Sequence, residues 1–418
     1  MRRQIDKIII ISAIIMCVWG VLAVFSTTVN SPAFSNIYIK QLFAALIGLG
    51  LMMLMRILPY RVLEDLSFFI FLFSISLLVA VLLIGTEIHG GKRWLNLFFF
   101  YFQPVEFAKV ALIFSTARLI RKRSNFFISL LPLVIVFFLV TAQPDYGSMI
   151  PMFFAVFAML SISDIETGWV NILVFLLLIF GGTLLTESYL FARGTTLLKI
   201  HYIIWPILLT GLAAWVYRGV RQLNKNLRWK GFIHTAIFIW GSAGAGLGGT
   251  YLLKDYQRRR IVAFLMPELD PLGVGYNTRQ SLLALGSGRL TGRGLFGGTQ
   301  TQLGFLPVRH TDFIFASIAE ELGFIGSFIM LALIFTFLWQ FIKIIEQTEE
   351  YSAKLIATGL FTVFISQTAM NIAVTLGMLP VMGLQLPLIS YGGTGLIAFL
   401  GMTGIMLNIN LRGDIIAS

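Results

Sequence analysis

The sequence predicts an all-α polytopic membrane protein with about twelve transmembrane helices and one large extracytoplasmic loop. Of its 418 residues, 57% are hydrophobic and 12% are charged, and the mean hydropathy is +0.87. The hydrophobic residues lie in runs that are about as long as a bilayer-spanning helix. This composition excludes a soluble enzyme and a disordered chain. The single cysteine, Cys17, also excludes a scaffold built on intramolecular disulfides.

Twelve apolar runs follow one another along a single integral membrane domain, 1–418. Each run is interpreted as one span. Those at 126–142 and 149–163 are short, so tilted, re-entrant and half-spanning arrangements stay open for them. The runs cover 8–25, 38–57, 66–85, 104–120, 126–142, 149–163, 168–186, 202–217, 232–252, 312–341, 355–377 and 386–411.

The basic residues between the runs predict the orientation. The chain has 31 Lys and Arg against 19 Asp and Glu, and more than half of the basic residues fall on the side where the N-terminus lies. Because cytoplasmic loops are enriched in Lys and Arg, both termini are predicted to be cytoplasmic. In a soluble protein a charge of +12 would suggest nucleic acid, but here topology explains it and no nucleic-acid partner is expected.

Segment 253–311 is the longest stretch that is not predicted to span, and this topology places it outside. It is rich in glycine, carries three prolines, and has more basic than acidic residues. Long irregular loops in compact proteins are usually functional or disordered. The short apolar runs IVAFLM, SLLALG and LGFLP argue against disorder, so an ordered cap on the outer membrane surface is predicted.

Glu106 and Lys109, in the run QPVEFAK, are the first candidate functional residues. Ionisable residues inside spans are costly and are functional candidates for that reason. The two are three residues apart, so on a helix they share a face and can pair. Two interpretations stay open: an internal ion pair that fixes helix packing, or a pair that lines a polar cavity.

Asp312, Glu320 and Glu321 form a second set, in HTDFIFASIAEELG. Thr311 or Asp312 is expected to cap the N-terminus of the helix that follows, where the helix dipole favours a carboxylate. Glu320 and Glu321 are adjacent and cannot both face lipid at low cost. At least one is expected to point into the bundle, towards a base such as Lys109.

Asp145 lies in QPDYGS, between the two short runs. A Pro-Asp-x-Gly turn is a sufficient local explanation for this aspartate. The alternative is a turn that dips into the membrane beside a cavity, where irregular backbone is tolerated.

Asp270 lies in the outer loop, in the stretch YQRRRIVAFLMPELDPLGVGYNTRQ. The proline after it favours an extended backbone, which holds the carboxylate in a defined direction. A diphosphate-linked lipid substrate needs cations at its leaving group, and an attacking hydroxyl needs a general base. The alternative is a surface turn whose arginines pair with lipid headgroups. The candidate cations are Arg258, Arg259, Arg260 and Arg279.

Several blocks occur in the order found in the SEDS family of RodA and FtsW type peptidoglycan polymerases, which the whole chain resembles. They are QPVEFAK, QPDYGS, YQRRRI, PELDPLGVGY, FLPVRHTDFIFASIAEELG and LPLISYGGTG. The stretch GTQTQLGFLP is closer to the RodA type. The resemblance implies a glycosyltransferase that polymerises lipid II at the outer leaflet of the bacterial cytoplasmic membrane, for wall elongation and cell shape.

The resemblance also implies roles for single residues. Asp270 matches the essential aspartate of the family, in its PELDP block. Glu106 and Lys109 match a charged pair of the fourth span, and Glu320 and Glu321 match the AEELG block. With the arginines named above, His310 and Asp312 are expected to contact substrate.

The resemblance implies partners and cofactors as well. The expected partners are a class B penicillin-binding protein that crosslinks the product and other membrane proteins of the elongation complex. A divalent cation, Mg²⁺ or Mn²⁺, or the arginines alone, would assist the leaving group. No organic cofactor is expected, and no metal-ligand set is recognisable in the sequence.

The chain departs from the family pattern in two places that matter. Val308 stands where the family usually has Glu. The region 168–252 has room for three spans where the family has about one, so residues of about 168–231 are interpreted as two inserted helices. Because the insertion is even, it preserves the predicted side of the loop.

Two other functions stay open. Glu106, Lys109, Glu320 and Glu321 would suit the polar pathway of a lipid II flippase, although many transporters show inverted repeats and none is visible in this sequence. A scaffold that only activates a penicillin-binding protein would leave the arrangement around Asp270 unexplained.

Overall fold

The computed structural model describes residues 2–30, 36–88, 91–97, 100–122, 124–163 and 274–412, with isolated positions at 34, 207 and 264. Residues 1–165 and 277–418 form one compact unit, and 166–276 form another. The predicted spans between 168 and 252, and therefore the inserted helices of 168–231 and the total of about twelve spans, lie outside the described residues and stay predictions. The first part of the predicted loop, 253–273, also lies outside the described residues, apart from position 264.

The described chain is mainly helical. Its helices and strands, numbered in chain order, are α1 (Arg2–Thr28), α2 (Ile37–Ile57), α3 (Tyr60–Asp65), α4 (Ser67–Ile84), β1 (Thr86–Ile88), β2 (Gly91–Leu97), β3 (Phe100–Phe102), α5 (Pro104–Arg121), α6 (Phe126–Ala142), α7 (Tyr146–Ser161), α8 (Val274–Ser287), α9 (Thr299–Gln302), α10 (Ile314–Gln347), α11 (Tyr351–Thr375) and α12 (Gly393–Arg412).

Six of the described helices are long and apolar enough to cross a membrane: α1, α2, α4, α10, α11 and α12. The apolar helices α6 and α7 are shorter, with 17 and 16 residues, as their short sequence runs predicted. Each has an internal proline, Pro132 or Pro151, which removes a backbone hydrogen bond. The chain is a multi-pass helical membrane protein, as the sequence predicted.

A small antiparallel sheet, β1-β2-β3, connects α4 to α5. Its register pairs Glu87 with Lys92 and Asn96 with Tyr101, and the Thr86 hydroxyl donates to the Trp94 carbonyl at 3.0 Å. The sequence analysis predicted only helices. It missed the strands because they are three to seven residues long and lie between runs that were identified by hydropathy alone.

Helix α5 lies inside the bundle, against α4, α6, α7 and α11. Small side chains on its surface, such as Ala108, Ala111 and Ala117, are fully buried and let these neighbours approach closely. Its position explains why a helix with two charged residues in its first two turns can lie among apolar spans. Those charges face protein rather than lipid.

Helices α2 and α12 pack along a line of glycines. A Cβ at Gly404 would collide with the Met52 carbonyl, and one at Gly401 would lie 3.1 Å from Leu51 Cδ2. Apolar side chains gain little by leaving lipid for protein, so close backbone packing is a main source of stability between spans.

Helix α10 has 34 residues and is broken at Gly323, where φ is +67°. At 1.5 Å per residue, the 20 residues between Gly323 and Lys343 span about 30 Å, which is about the thickness of the hydrocarbon core. The part of α10 after Gly323 is therefore long enough to cross the membrane without Ile314–Leu322. The sequence analysis predicted one continuous run over 312–341 and did not detect this break.

Substituting Gly404 by Ala should lower the thermal stability, because the added methyl must displace the Met52 backbone. We expect a loss of about 1–3 kcal/mol, as for other overpacked sites. The matched control is Gly50→Ala in α2, where the new Cβ meets nothing within 4 Å. Its melting temperature should equal or slightly exceed that of wild type, since Ala favours helix. Equal melting temperatures for the two variants would contradict the close approach of α2 and α12.

Candidate functional site

Lys109 is fully buried in the centre of the bundle and is held by two polar partners. Its Nζ lies 2.7 Å from Glu106 Oε1 and donates to Gln367 Oε1 of α11 at 2.9 Å. The Phe399 ring of α12 lies 5.5 Å from the same nitrogen. The predicted pairing of Glu106 with Lys109 is confirmed, and Gln367 is a partner that the sequence analysis did not identify.

The Glu106–Lys109 pair is not fully satisfied. Among the described residues, the second carboxylate oxygen, Glu106 Oε2, has no hydrogen-bond partner although it is buried. An unsatisfied buried acceptor costs about 1–3 kcal/mol. A pair selected only to fix helix packing would be expected to satisfy this oxygen, so the structure leaves room for a functional role.

Amide side chains of α11 connect the charged pair to two irregular segments. Gln367 Nε2 donates to the Gln385 carbonyl at 3.1 Å. One turn further along α11, Asn371 Nδ2 donates to the carbonyls of Leu384 at 2.7 Å and Asp312 at 2.9 Å. These bonds hold segments 384–392 and 309–313 on α11, so backbone that is not helical is satisfied by side chains from the bundle.

Segments 309–313 and 384–392 also bind one another. Ser390 Oγ donates to the Thr311 carbonyl at 2.6 Å, and the Tyr391 amide donates to the His310 carbonyl at 2.8 Å. Gln41 of α2 also holds segment 384–392, because its side-chain Nε2 donates to the Ser390 carbonyl at 3.0 Å. We call Glu106, Lys109, Gln367, Asn371 and Ser390 the central polar cluster.

His310 and Arg309 are buried beside this cluster. The His310 ring lies 4.9 Å from the Phe34 ring and 5.7 Å from the Tyr391 ring, between centroids. Burial, with the neighbouring Arg309 charge, lowers the pKa of His310 from 6.5 to about 4, so the imidazole is neutral at pH 7. Arg309 Nε donates to the Thr27 carbonyl at 2.7 Å.

The predicted helix cap at Thr311 or Asp312 is wrong. Helix α10 begins at Ile314 with Phe313 in the N-cap position, and within the described residues no side chain caps it. The Thr311 hydroxyl instead donates to the Val308 carbonyl at 3.2 Å. Turns over 309–313 are held by the bonds to α11 and to segment 384–392, which replace a local cap.

Glu320 and Glu321 are buried, but they point to loop residues 299–302 and to α1. Glu320 accepts from the backbone amides of Gln300 and Thr301 at 2.8 and 2.9 Å. Glu321 Oε1 accepts from Ser26 Oγ at 2.5 Å and from Gln302 Nε2 at 3.1 Å. The expectation that one of them would turn towards Lys109 is wrong in the described part of the chain, because loop amides are nearer.

Asp145 is buried at the turn between α6 and α7. Its carboxylate accepts from Ser148 Oγ at 2.9 Å and from Gln103 Nε2 at 3.2 Å, and lies 3.7 Å from Arg93 Nη1 of strand β2. Arg93 also donates to the Pro144 carbonyl. The aspartate therefore ties this turn to the sheet and to the residue before α5, which is more than a local turn requires.

Asp270, Arg258, Arg259 and Arg260 lie outside the described residues, so their predicted roles stay predictions. Arg279 is exposed on α8. In the part of the chain that is described, no group of three or more His, Cys, Asp and Glu could hold a metal ion.

Comparison with known proteins gives the family. The model of a cell cycle protein family that includes FtsW, RodA and SpoVE matches residues 6–201 and 212–413. The chain belongs to this FtsW/RodA/SpoVE family. The unmatched residues 202–211 fall within the segment predicted to be inserted, 168–231.

Curated relatives in the FtsW/RodA/SpoVE family match along nearly their whole length. The peptidoglycan glycosyltransferase RodA of Treponema pallidum is 31% identical over 97% of this chain and 98% of its own. The peptidoglycan glycosyltransferase MrdB of Escherichia coli is 32% identical over 98% of this chain and 94% of its own.

Solved structures agree with the fold. A chain from a peptidoglycan synthase complex that coordinates polymerisation and crosslinking is 25% identical, with a TM-score of 0.66 over 97% of both chains. The rod shape-determining protein RodA of Thermus thermophilus has a TM-score of 0.59 at 24% identity, over 97% of this chain and 96% of its own.

The sequence analysis of this FtsW/RodA/SpoVE family member missed the amides of the central polar cluster. Gln367 and Asn371 lie four residues apart in an apolar run, so they share a helix face. Polar residues at this spacing inside a span are a signal that could have identified them. Arg93 carried no comparable signal, because its contact with Asp145 depends on the sheet.

Replacing Lys109 by Met should destabilise the protein by about 3 kcal/mol or more, since Glu106 would be left as an unpaired buried charge. In the double variant Glu106→Gln, Lys109→Met both charges are absent, so the melting temperature should recover in part. If the pair serves packing alone, activity should recover with it. A double variant that folds but stays inactive would show that the family's charged pair has a functional role.

The low pKa of His310 predicts an acid-sensitive fold. Between pH 6.5 and about 4 the unfolded chain binds a proton that the folded chain does not, so stability falls as pH falls through this range. The expected loss at pH 4.5 is about 2–3 kcal/mol. The variant His310→Phe should lose less melting temperature than wild type between pH 7.5 and 4.5. Parallel losses in the two proteins would contradict a neutral buried imidazole.

Proposed function

We propose that this protein polymerises lipid II, a disaccharide-pentapeptide linked to undecaprenyl diphosphate, into glycan strands for wall elongation and cell shape. One observation carries the proposal: curated relatives named peptidoglycan glycosyltransferases match this chain at 31–32% identity over 97–98% of its length. A match of this extent includes the outer loop and the central polar cluster together.

The proposed reaction is an inverting glycosyl transfer at the outer leaflet. The carboxylate of Asp270 takes the proton of the 4-hydroxyl of the acceptor N-acetylglucosamine. The oxygen forms a bond to the anomeric carbon of the donor N-acetylmuramic acid. The bond from that carbon to the diphosphate breaks, and undecaprenyl diphosphate leaves with the electron pair. Adjacent arginines cannot all face one site, so one or two of Arg258, Arg259 and Arg260 hold the diphosphate, together with Arg279.

The described residues support a base in the loop rather than in the bundle. The carboxylates of Glu320 and Glu321 accept hydrogen bonds from loop and α1 donors, which a base would have to give up. Glu106 is paired with Lys109. Exposed Arg279, five residues after the start of α8, is a cation that a substrate diphosphate can reach.

A divalent cation, Mg²⁺ or Mn²⁺, would stabilise the charge of the departing diphosphate when bound.

His310 and Asp312 are proposed to act near the substrate, because they lie in one of the sequence blocks that resemble the family. His310 is nearly buried, at 8% exposure, so its contribution would be to shape segment 309–313 through the ring contacts with Phe34 and Tyr391.

The proposed location is the bacterial cytoplasmic membrane, with both termini cytoplasmic. Contacts between helix ends support a common side for the two termini. Arg56 at the end of α2 lies 2.8 Å from Asp6 near the start of α1, and Asn410 near the end of α12 donates to Asp6 Oδ1 at 2.7 Å. The basic residues gathered at this side support the cytoplasmic assignment.

The proposed partner is a class B penicillin-binding protein, in company with other membrane proteins of the elongation complex. The support is the similarity to a chain of a synthase complex that joins polymerisation to crosslinking. Coupling the two activities would deliver each new strand to the crosslinking enzyme while it is still at the membrane surface.

Asp270→Asn tests the proposed base, because the amide keeps the shape and cannot accept the proton. With purified protein, labelled lipid II, divalent cation and a class B partner, we expect polymerisation to fall at least about 100-fold. The control is Glu268→Gln, two residues away, which should stay within about threefold of wild type.

Three other results would redirect the assignment. Near wild-type polymerisation by Asp270→Asn would support the polymerase function but show that Asp270 is not the general base. Equal losses in both variants would indicate damage to the loop. If wild type itself makes no glycan even with the partner present, the flippase and the scaffold become the leading functions.

A further inference from the structure

The outer-loop segment 289–294 binds the broken part of α10 through its backbone. The break at Gly323 leaves helix groups without their usual partners, and the loop supplies them. Four backbone hydrogen bonds of 2.9–3.0 Å join the loop segment to α10. They run from Arg293 N to Glu320 O, Gly294 N to Glu321 O, Phe324 N to Arg289 O, and Ile325 N to Leu290 O.

The Glu320 side chain adds a second attachment a few residues further along the loop. Its carboxylate is fully buried and accepts from five donors. Two are backbone amides in the first turn of α9, where the helix dipole also favours a negative charge. The donors are Gln300 N at 2.8 Å, Thr301 N at 2.9 Å, Thr301 Oγ1 at 2.6 Å, Thr299 Oγ1 at 3.3 Å and Ser287 Oγ at 3.4 Å.

Two glycines make this approach possible. A Cβ at Gly288 would overlap the Ala319 carbonyl, and one at Gly298 would lie 2.7 Å from Glu320 Oε2. A side chain at Gly288 would push the loop away from the backbone of α10, and one at Gly298 would displace the Glu320 carboxylate from its donors. In contrast, a Cβ at Gly286 meets nothing within 4 Å. We call residues 287–302, bound to 320–325, the loop clamp.

The loop clamp fixes the C-terminal end of α8. Ser287, the last residue of α8, donates to Glu320, and Ser281 one and a half turns earlier donates to the Thr375 carbonyl of α11 at 2.8 Å. Exposed Arg279 lies on α8 two residues before Ser281. Because the helix is held at Ser281 and Ser287, the position of Arg279 depends on these two attachments.

We propose that Glu320 is a positioning residue for glycosyl transfer: through the loop clamp it fixes α8, and with it Arg279, the exposed cation proposed to hold the diphosphate of the substrate. This inference rests on the proposed polymerase function. Glu320 itself does not take the substrate proton, because its oxygens are bound by the loop. A misplacement of about 1 Å at a reacting group can cost about 100-fold in rate.

The experiment measures kcat and KM for lipid II with wild type and four variants, in the presence of the same class B partner. Thr301→Val removes one hydrogen bond of the clamp, and Glu320→Gln removes the charge. Gly298→Ala keeps the Glu320 carboxylate but places a methyl group against it, so that the carboxylate and the loop are forced apart. Gly286→Ala is the matched control. The folded fraction at the assay temperature is measured for each protein.

The expected result is graded. Gly286→Ala should stay within about twofold of wild type, Thr301→Val should lose about threefold in kcat, and Glu320→Gln and Gly298→Ala should each lose about tenfold or more. KM for lipid II should change by less than about threefold, because Arg279 acts mainly on the charge that develops on the departing diphosphate in the transition state. Folded fractions should match.

Two results would overturn the inference. One is wild-type kcat in both Glu320→Gln and Gly298→Ala. The other is a loss of kcat that merely follows a loss of folded protein or a rise in KM, which would give Glu320 a structural role only. If Glu320→Gln does not fold, Thr301→Val and Gly298→Ala decide the question. Absence of polymerisation by wild type would refute the proposed function instead, and the two failures are therefore distinguishable.

Discussion

A buried ammonium group must be paired, and much of the described unit is arranged around this requirement at Lys109. The cost of removing an ion from water is several kcal/mol even after relaxation, and lipid offers no compensating partner. Glu106 supplies the opposite charge from the same helix, and Gln367 supplies a second acceptor from α11. Because both partners have to converge on one nitrogen, α5 and α11 are held in contact, and α4, α6, α7, α10 and α12 each pack against one or both of them.

Buried polar groups beyond Lys109 also need hydrogen-bond partners, and side chains of α11 supply them. Gln367 uses its amide nitrogen to hold segment 384–392, and Asn371 holds both that segment and 309–313. Side-chain amides of α11 therefore anchor segments 309–313 and 384–392, and Gln367 links this anchoring to Lys109. The loop clamp anchors residues 287–302. Rigid support of this kind is what a reaction with a precise approach of two sugars needs.

Hydropathy was sufficient to predict the described spans, because a run of about 20 apolar residues has few other solutions. The Glu106–Lys109 pair was also predictable, since helical spacing alone brings the two together. The target of Glu320 was not, because its donors lie about 20 residues earlier in a loop whose path depends on the break at Gly323. The cap expected at Asp312 failed for a similar reason: α11 and segment 384–392 hold the turn that a local cap would otherwise have formed.

The order of residues in the loop clamp has a consequence for biosynthesis. The loop donors around Thr301 leave the ribosome before their acceptor, Glu320, and well before the rest of α10. Chains grow at about 5–20 residues per second, so the loop must wait for seconds until α10 has been inserted. Attachment of the loop is therefore set by the insertion of α10, and a chain stalled at that helix would expose an unattached loop to proteases.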